Sequence, residues 1–356
     1  MSRYKVVVVG MGKRGKHHAV AFNNNDAFDV VGICDIDQGR LDEAAAMIGN
    51  PATYTDAAAM TAELKPDVFC FCTMPHLREP FIKIAVENGV RLIAFEKPVA
   101  DSSEAAVAVK KLIDDSGVKA VVSHQHRYGE HYRKVKEIVS AGKIGKVHTI
   151  YASSTGWMTH MMSHLIDYMR WYNGNADAEW VMAQAAGKGK FDDNHPSPDY
   201  IGGFIQFANG VRGIVETGAG APDIPEVAKW WGRCRIRVQG DEGFAEVLTN
   251  GGWKACTKDG LVSGEGAMNY DNDMPPYIQE MADWLDDDSK AHSCCFDSAY
   301  KGYEIMMGLC QSVVKGGQVA LPLQQYMQEI DELKLKLADS RVIFSSDAHK
   351  PEYPEA

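Results

Sequence analysis

The apolar stretch Val90-Arg91-Leu92-Ile93-Ala94-Phe95 runs into Glu96-Lys97-Pro98. If that stretch is a buried parallel strand, its carboxyl end lies where open α/β sheets bind ligands. A lysine partly desolvated there has a lowered pKa and can relay a proton or donate a hydrogen bond. Glu96 is better suited to orienting Lys97 or a ligand than to reacting. An exposed ion pair at a strand end is the plain alternative. A second cluster is His160, His164 and Asp167, which one helix would place at i, i+4 and i+7 on a single stripe. No metal is expected on it, because a zinc-hydrolase helix carries a general-base glutamate where this chain has Met161. A packed histidine pair and proton-transfer chemistry remain.

Gly10-Met11-Gly12-Lys13-Arg14-Gly15 follows the β-branched run Lys5-Val6-Val7-Val8-Val9 and precedes a helical stretch from Lys16 to Asn24. Strand, Gly-x-Gly-x-x-Gly and helix in that order form the dinucleotide fingerprint. The glycines allow a tight turn and close backbone approach to a pyrophosphate held on the helix N-terminus. The next strand, from Phe28 to Cys34, ends in Asp35, about twenty residues on, where an acid accepts hydrogen bonds from the adenosine ribose. A carboxylate there repels a 2′-phosphate and so favours NAD over NADP. Arg14 and Arg40 could reach an adenosine phosphate, although Arg14 reads better as a solvated side chain with only its backbone N–H in use. The turn Thr73-Met74-Pro75-His76 after the strand from Val68 to Cys72 is either a nicotinamide contact or a simple turn.

Holding these residues takes repeated β and α units. Helical stretches are predicted over 37–48, 57–64, 77–88 and 102–116, and strands over 68–72 and 90–95, which together describe a doubly wound parallel sheet. Ala120 to Tyr128 reads as a further strand whose alternation sets His124, His126 and Tyr128 on one face and Gln125 and Arg127 on the other. The chain has 356 residues, 45% of them apolar and 24% charged, enough for two cores. Its 37 basic and 48 acidic residues leave a net charge of −11, which argues against nucleic-acid or anionic-membrane partners. With no signal-like segment and no apolar run of membrane length, a cytoplasmic protein is expected. The eight cysteines include no Cys-x-x-Cys pair, and most are expected to be small buried apolar residues.

Together, the Gly10-to-Gly15 loop, Asp35, the Thr73 turn and Glu96-Lys97-Pro98 resemble the Gfo/Idh/MocA family of NAD(P)-dependent oxidoreductases, over most of the chain. The resemblance implies an N-terminal Rossmann domain, a doubly wound parallel sheet, over residues 1–123. A C-terminal α/β domain with a large open, mostly antiparallel sheet follows over 124–345, then a polar tail over 346–356. It implies a cofactor site at Gly10, Gly12, Lys13, Arg14, Gly15, Asp35, Thr73, Pro75, His76, Glu96 and Lys97, and it places Lys97 beside the reacting carbon. His164, before Leu165-Ile166-Asp167, matches the family's general acid/base, whereas His160 stands where the family has an aspartate. Catalysis is therefore assigned to Lys97, His164 and His160, with Asp167 or a backbone carbonyl orienting His164. Substrate contacts are assigned to Arg127, Tyr128, Trp157, His160 and Asp167, the first two set against interdomain packing. In the second domain, hairpins at Asn209-Gly210 and around residues 235–247 suit an open sheet and a homodimer or homotetramer. Trp230-Trp231 is expected to cap the site or an interface. The function expected is hydride transfer between a sugar, glycoside or cyclic polyol and NAD. A redox-neutral NAD-dependent glycosidase and a non-catalytic NAD-binding sensor are the alternatives.

Overall fold

The computed structural model describes residues 3–188, 191–193, 195–227 and 233–339; Trp230-Trp231 and the polar tail lie outside the described residues. In chain order the first elements are β1 (Tyr4–Val9), α1 (Lys13–Asn23), β2 (Phe28–Cys34), α2 (Gln38–Met47), β3 (Ala52–Tyr54), α3 (Ala57–Leu64) and β4 (Val68–Phe71). Next come α4 (Arg78–Glu87), β5 (Leu92–Glu96), α5 (Ser103–Ser116), β6 (Lys119–Ser123), α6 (Glu130–Ser140), β7 (Val147–Ser154), α7 (Ser163–Tyr172) and β8 (Ala178–Ala186). The rest are β9 (Tyr200–Phe207), β10 (Arg212–Thr217), β11 (Cys234–Gly240), β12 (Phe244–Leu248), β13 (Gly252–Thr257), β14 (Gly260–Gly264), α8 (Tyr270–Asp286), α9 (Phe296–Lys315), β15 (Val319–Ala320) and α10 (Glu329–Lys336). Among the described residues no helix is long and apolar enough to cross a membrane.

The chain forms two compact units. The first comprises residues 3–128 and Asn269–Tyr300, so residues 124–128 and 269–300 pack with the dinucleotide fold, against the expected division at 124. Its sheet has the order β3-β2-β1-β4-β5-β6 with every pair parallel. The continuous apolar runs are explained by cover on both faces: Val6, Val7 and Val8 of β1 and Leu92 to Phe95 of β5 are fully buried. Burying each valine, leucine, isoleucine or phenylalanine among them is worth about 1.5–3 kcal/mol. Side-chain caps start the helices around it: Asp37 accepts from Arg40 N, Asp56 from Ala58 N and Ala59 N, and Ser102 from Ala105 N. α8 returns to this unit and buries Met274, Tyr277, Ile278 and Met281 in the same core as Phe22 of α1.

β6 stops at Ser123, so the strand expected through Tyr128 is corrected: Gln125–Tyr128 form a 3-10 turn. Residues 124 to 128 are all buried, so no in-out alternation governs them. Ser123 Oγ donates to Gln125 Oε1, Arg127 Nη1 to the Ser293 carbonyl and Tyr128 Oη to Glu280, which draw the chain off the strand axis.

The second unit comprises the described residues of 129–268 and 301–339. Its nine described strands run β14-β13-β12-β11-β7-β10-β9-β8-β15 and are antiparallel except for β7 with β10. α6 and α7 cover one face. On β9 Ile201, Ile205 and Phe207 are buried, while Phe204 is 52% exposed and pairs in register with the 46% exposed Met182 of β8.

Candidate active site

The three glycines of the loop do different things. Gly10 has φ +86°, and a Cβ on it would lie 2.6 Å from the Cys72 carbonyl oxygen. A Cβ on Gly15, inside α1, would lie 1.7 Å from the Gly10 carbonyl oxygen, so this residue is where helix and loop touch. Gly12 has nothing within 4 Å of a Cβ position, and it caps α1 without a side-chain hydrogen bond. The first N–H groups of an α-helix have no intrahelical acceptor, so the open side of Gly12 and the start of α1 fit a pyrophosphate. Lys13 is exposed beside it. Asp35 is buried at the end of β2, where Oδ2 accepts from Met11 N at 2.6 Å and Oδ1 from Asp37 N at 2.9 Å. Each oxygen keeps a second lone pair for a ribose hydroxyl.

Arg14 corrects the expectation of a solvated side chain. Its Nε donates to Glu96 Oε1 at 3.1 Å and its guanidinium lies 4.2 Å above the Tyr270 ring. His18, fully buried on α1, places Nε2 3.0 Å from the same Glu96 oxygen. Burial opposes the charge on Glu96, but Arg14, His18 and Lys97 together hold its carboxyl well below the ordinary range. Lys97 is half-buried at the end of β5. Burial pushes its pKa down to about 8, Glu96 works against that, and Arg14 and Arg78 push it further.

Arg78, 1% exposed, ties the two turns at the sheet edge together. It donates to the carbonyls of Thr73, Glu96 and Pro98. Thr73 also lies against the Gly10 position, whereas Pro75 begins a 3-10 turn and His76 is exposed. Arg127 and Tyr128 are buried, and their contacts to Ser293 and Glu280 are packing contacts within this unit.

In the second unit the single-helix stripe is corrected. Met158–Met162 form a π-helical turn capped by Trp157, and α7 begins only at Ser163. The wider turn breaks the 3.6-residue register between His160 and His164. The break is held from outside the helix: Ser197 Oγ accepts from Met158 N at 3.0 Å and Thr159 Oγ1 donates to the Pro196 carbonyl. His160 is half-buried, its ring 4.6 Å from that of His195. His164 and Asp167 are buried, and Tyr168 Oη lies 3.1 Å from His164 Nδ1. Trp157 is half-buried, whereas Met158, Met161 and Met162 are core residues.

Comparison with known proteins adds to this geometry. Residues 4–124 match the model of an oxidoreductase family with an NAD-binding Rossmann fold, Gfo/Idh/MocA, and residues 132–246 match the C-terminal domain of the same family. The chain belongs to the Gfo/Idh/MocA family. NAD is accordingly the cofactor of its Rossmann unit. Among its relatives, the uncharacterized protein y4oX of Sinorhizobium fredii is 29% identical over 272 residues, 68% of this chain and 72% of that protein. The D-apiose dehydrogenase of Paraburkholderia graminis is 28% identical over 145 residues, 41% of this chain and 38% of that enzyme. An Agrobacterium radiobacter oxidoreductase solved with NAD+, L-tartaric acid and magnesium shares the fold, with a TM-score of 0.78 and 18% identity over 90% of this chain and 98% of that one.

Within this Gfo/Idh/MocA member, sequence reasoning missed His18, Arg78, Tyr168, His195 and Tyr270. His18 had a signal, because it lies four residues before the core residue Phe22 on the inner face of α1. The others act through contacts across long sequence separations or through hydroxyls that carry no pattern.

Proposed function

We propose that this chain is an NAD-dependent dehydrogenase acting on a secondary hydroxyl of a sugar, glycoside or cyclic polyol. The observation that carries this reading is Lys97, a half-buried lysine with its pKa near 8 at the edge of the Rossmann sheet. The backbone of Gly10, Gly12 and Gly15 with the start of α1 would hold the pyrophosphate, and Asp35 the ribose. The chemistry supplied by bound NAD is acceptance of a hydride from the carbinol carbon. Lys97 can donate a hydrogen bond to the developing alkoxide or relay its proton, because both of its protonation states are populated near neutral pH. His164 takes the hydroxyl proton, with Tyr168 at Nδ1 setting the ring, while His160, Trp157 and Asp167 contact the substrate. The D-apiose dehydrogenase among the relatives supports a carbohydrate substrate.

The test is an NADH-absorbance screen of inositols, monosaccharides and glycosides. The expected result is NADH formation with one of these classes, lost by about 10²–10⁴-fold in Lys97→Ala while NAD still binds. Nitrophenyl glycoside cleavage without net NADH would instead mark the redox-neutral glycosidase, and an unaltered biological readout in Lys97→Ala a sensor. The protein is further read as cytoplasmic and as a homodimer or homotetramer joined through the open sheet face around Met182 and Phe204, which light scattering of a Phe204→Asp variant checks.

A further inference from the structure

Behind the dinucleotide loop lies a group of side chains that hydride transfer does not use. Cys70 on β4 and Cys72 just beyond it are two residues apart, so they project to one face of the sheet, the face on which α1 carries His18. An imidazole nitrogen of His18 and the two sulfurs all lie within 4.8 Å of one another. His18 and Cys70 are fully buried, whereas Cys72 is half-buried and opens the group toward the ligand edge. His18 Nε2 is taken by Glu96, and Nδ1 is buried with no hydrogen-bond partner. A buried nitrogen left unmatched in this way is unfavourable, and a ligand removes that penalty.

We propose that His18, Cys70 and Cys72 form a binding site for a thiophilic d10 cation of the zinc type, with Glu96 as the carboxylate that orients the histidine. The donor set selects the ion: two thiolates and an imidazole suit zinc, cadmium or copper(I), whereas magnesium and calcium take oxygen ligands. The second shell is already in place, because a metal-binding histidine commonly gives its other ring nitrogen to a carboxylate, as His18 does to Glu96. Zinc bonds of about 2.3 Å to sulfur and about 2.0 Å to nitrogen put neighbouring ligand atoms roughly 3.5 Å apart, so the three atoms need to close by about 1.3 Å at most. On binding, the two thiols release two protons and the His18 ring nitrogen not held by Glu96 supplies a lone pair, with a water completing the shell on the open side of Cys72. A disulfide is the competing fate of the cysteines. Residues i and i+2 of a strand are about 6.6 Å apart at Cα, at the far limit for a disulfide, so the geometry favours a shared ion.

Cadmium is the probe. The full-length chain, reduced and stripped with chelator, is titrated with Cd2+ and followed by thiolate-to-cadmium charge-transfer absorption in the ultraviolet. One equivalent per chain is expected, with the band abolished in Cys70→Val/Cys72→Ala and the affinity lowered about 10–100-fold in Glu96→Gln. Should the double variant fail to fold, X-ray absorption of the wild-type cadmium form decides, with two sulfur neighbours and one nitrogen expected. An oxygen-only shell, no stoichiometric band, or a band that survives in the folded double variant because Cys256 or Cys295 carries it would overturn the site.

Discussion

Arg14 Nε donates to Glu96 Oε1 across 3.1 Å, so the glycine loop and the Glu-Lys-Pro turn share one ion pair, separated by 82 residues in the chain. Both partners are largely removed from solvent, and breaking such a pair leaves an uncompensated charge. Glu96→Gln is expected to lose on the order of 3 kcal/mol in urea unfolding. The folded pKa of Glu96 lies below its ordinary value of 4.5, so its contribution is present above that pH and fades as pH falls through the folded value. Wild-type protein should therefore lose stability in acid more steeply than Glu96→Gln, which acid-range unfolding curves check.

Lys97 adds a dependence of the same sign in an alkaline window. The unfolded chain holds this proton up to about 10.5 and the folded one only to about 8. Between those values the unfolded state binds more protons, so the contribution of this group to stability rises with pH. Lys97→Met should flatten that rise, read as denaturation midpoints at pH 8 and at pH 10.

The loop glycines can be separated by substitution. Gly12→Ala is expected to fold within about 1 kcal/mol of wild type yet to bind NAD at least about tenfold more weakly, since its methyl enters only open space. Gly15→Ala meets the Gly10 backbone and should cost about 3 kcal/mol. Paired melting curves and NAD titrations distinguish the two, and equal loss of stability in both variants would contradict the assignment.

Phe71 and Phe95 stack across β4 and β5 with ring centroids 5.2 Å apart and planes 4° apart, both fully buried. Truncating Phe95 to alanine should remove about 3–5 kcal/mol. The urea midpoint shows it directly.

For the histidine segment, His164→Asn is expected to lower kcat by about 10²–10⁴-fold. Tyr168→Phe keeps the ring but removes the hydroxyl at Nδ1, so its signature is a shifted pH profile with a loss of about tenfold. An unchanged profile in Tyr168→Phe would assign the tyrosine to packing alone.

Much of the Rossmann unit was legible because its signals are local. β1, the glycine turn and Asp35 lie within one stretch, and β5 is a run that only a two-sided burial explains. The open second sheet was readable from turn residues such as Asn209-Gly210, although β13 and β14 carry too little apolar alternation to stand out. Errors arose where distant partners decide. Arg14 reads as a loop cation until Glu96 and Tyr270 are placed around it. The π-turn at Met158–Met162 is imposed by Ser197 and Pro196, about forty residues away, so no periodicity within the segment announces it. Residues 124–128 alternate as a strand would, but all five are buried, and Gln125, Arg127 and Tyr128 are held by Ser123, Ser293 and Glu280.

Arg78 reaches from the start of α4 to the carbonyls of Thr73, Glu96 and Pro98. The turn after β4 and the turn after β5 are therefore one mechanical part with a cationic rivet at its centre. A change of side chain at Thr73 or Lys97 leaves that rivet in place, because its hydrogen bonds go to backbone oxygens and its guanidinium lies over the rings of Phe71 and Phe95. Variation at the ligand edge can thus be explored residue by residue without loosening the mount, and Arg78 itself is the position where such tolerance ends.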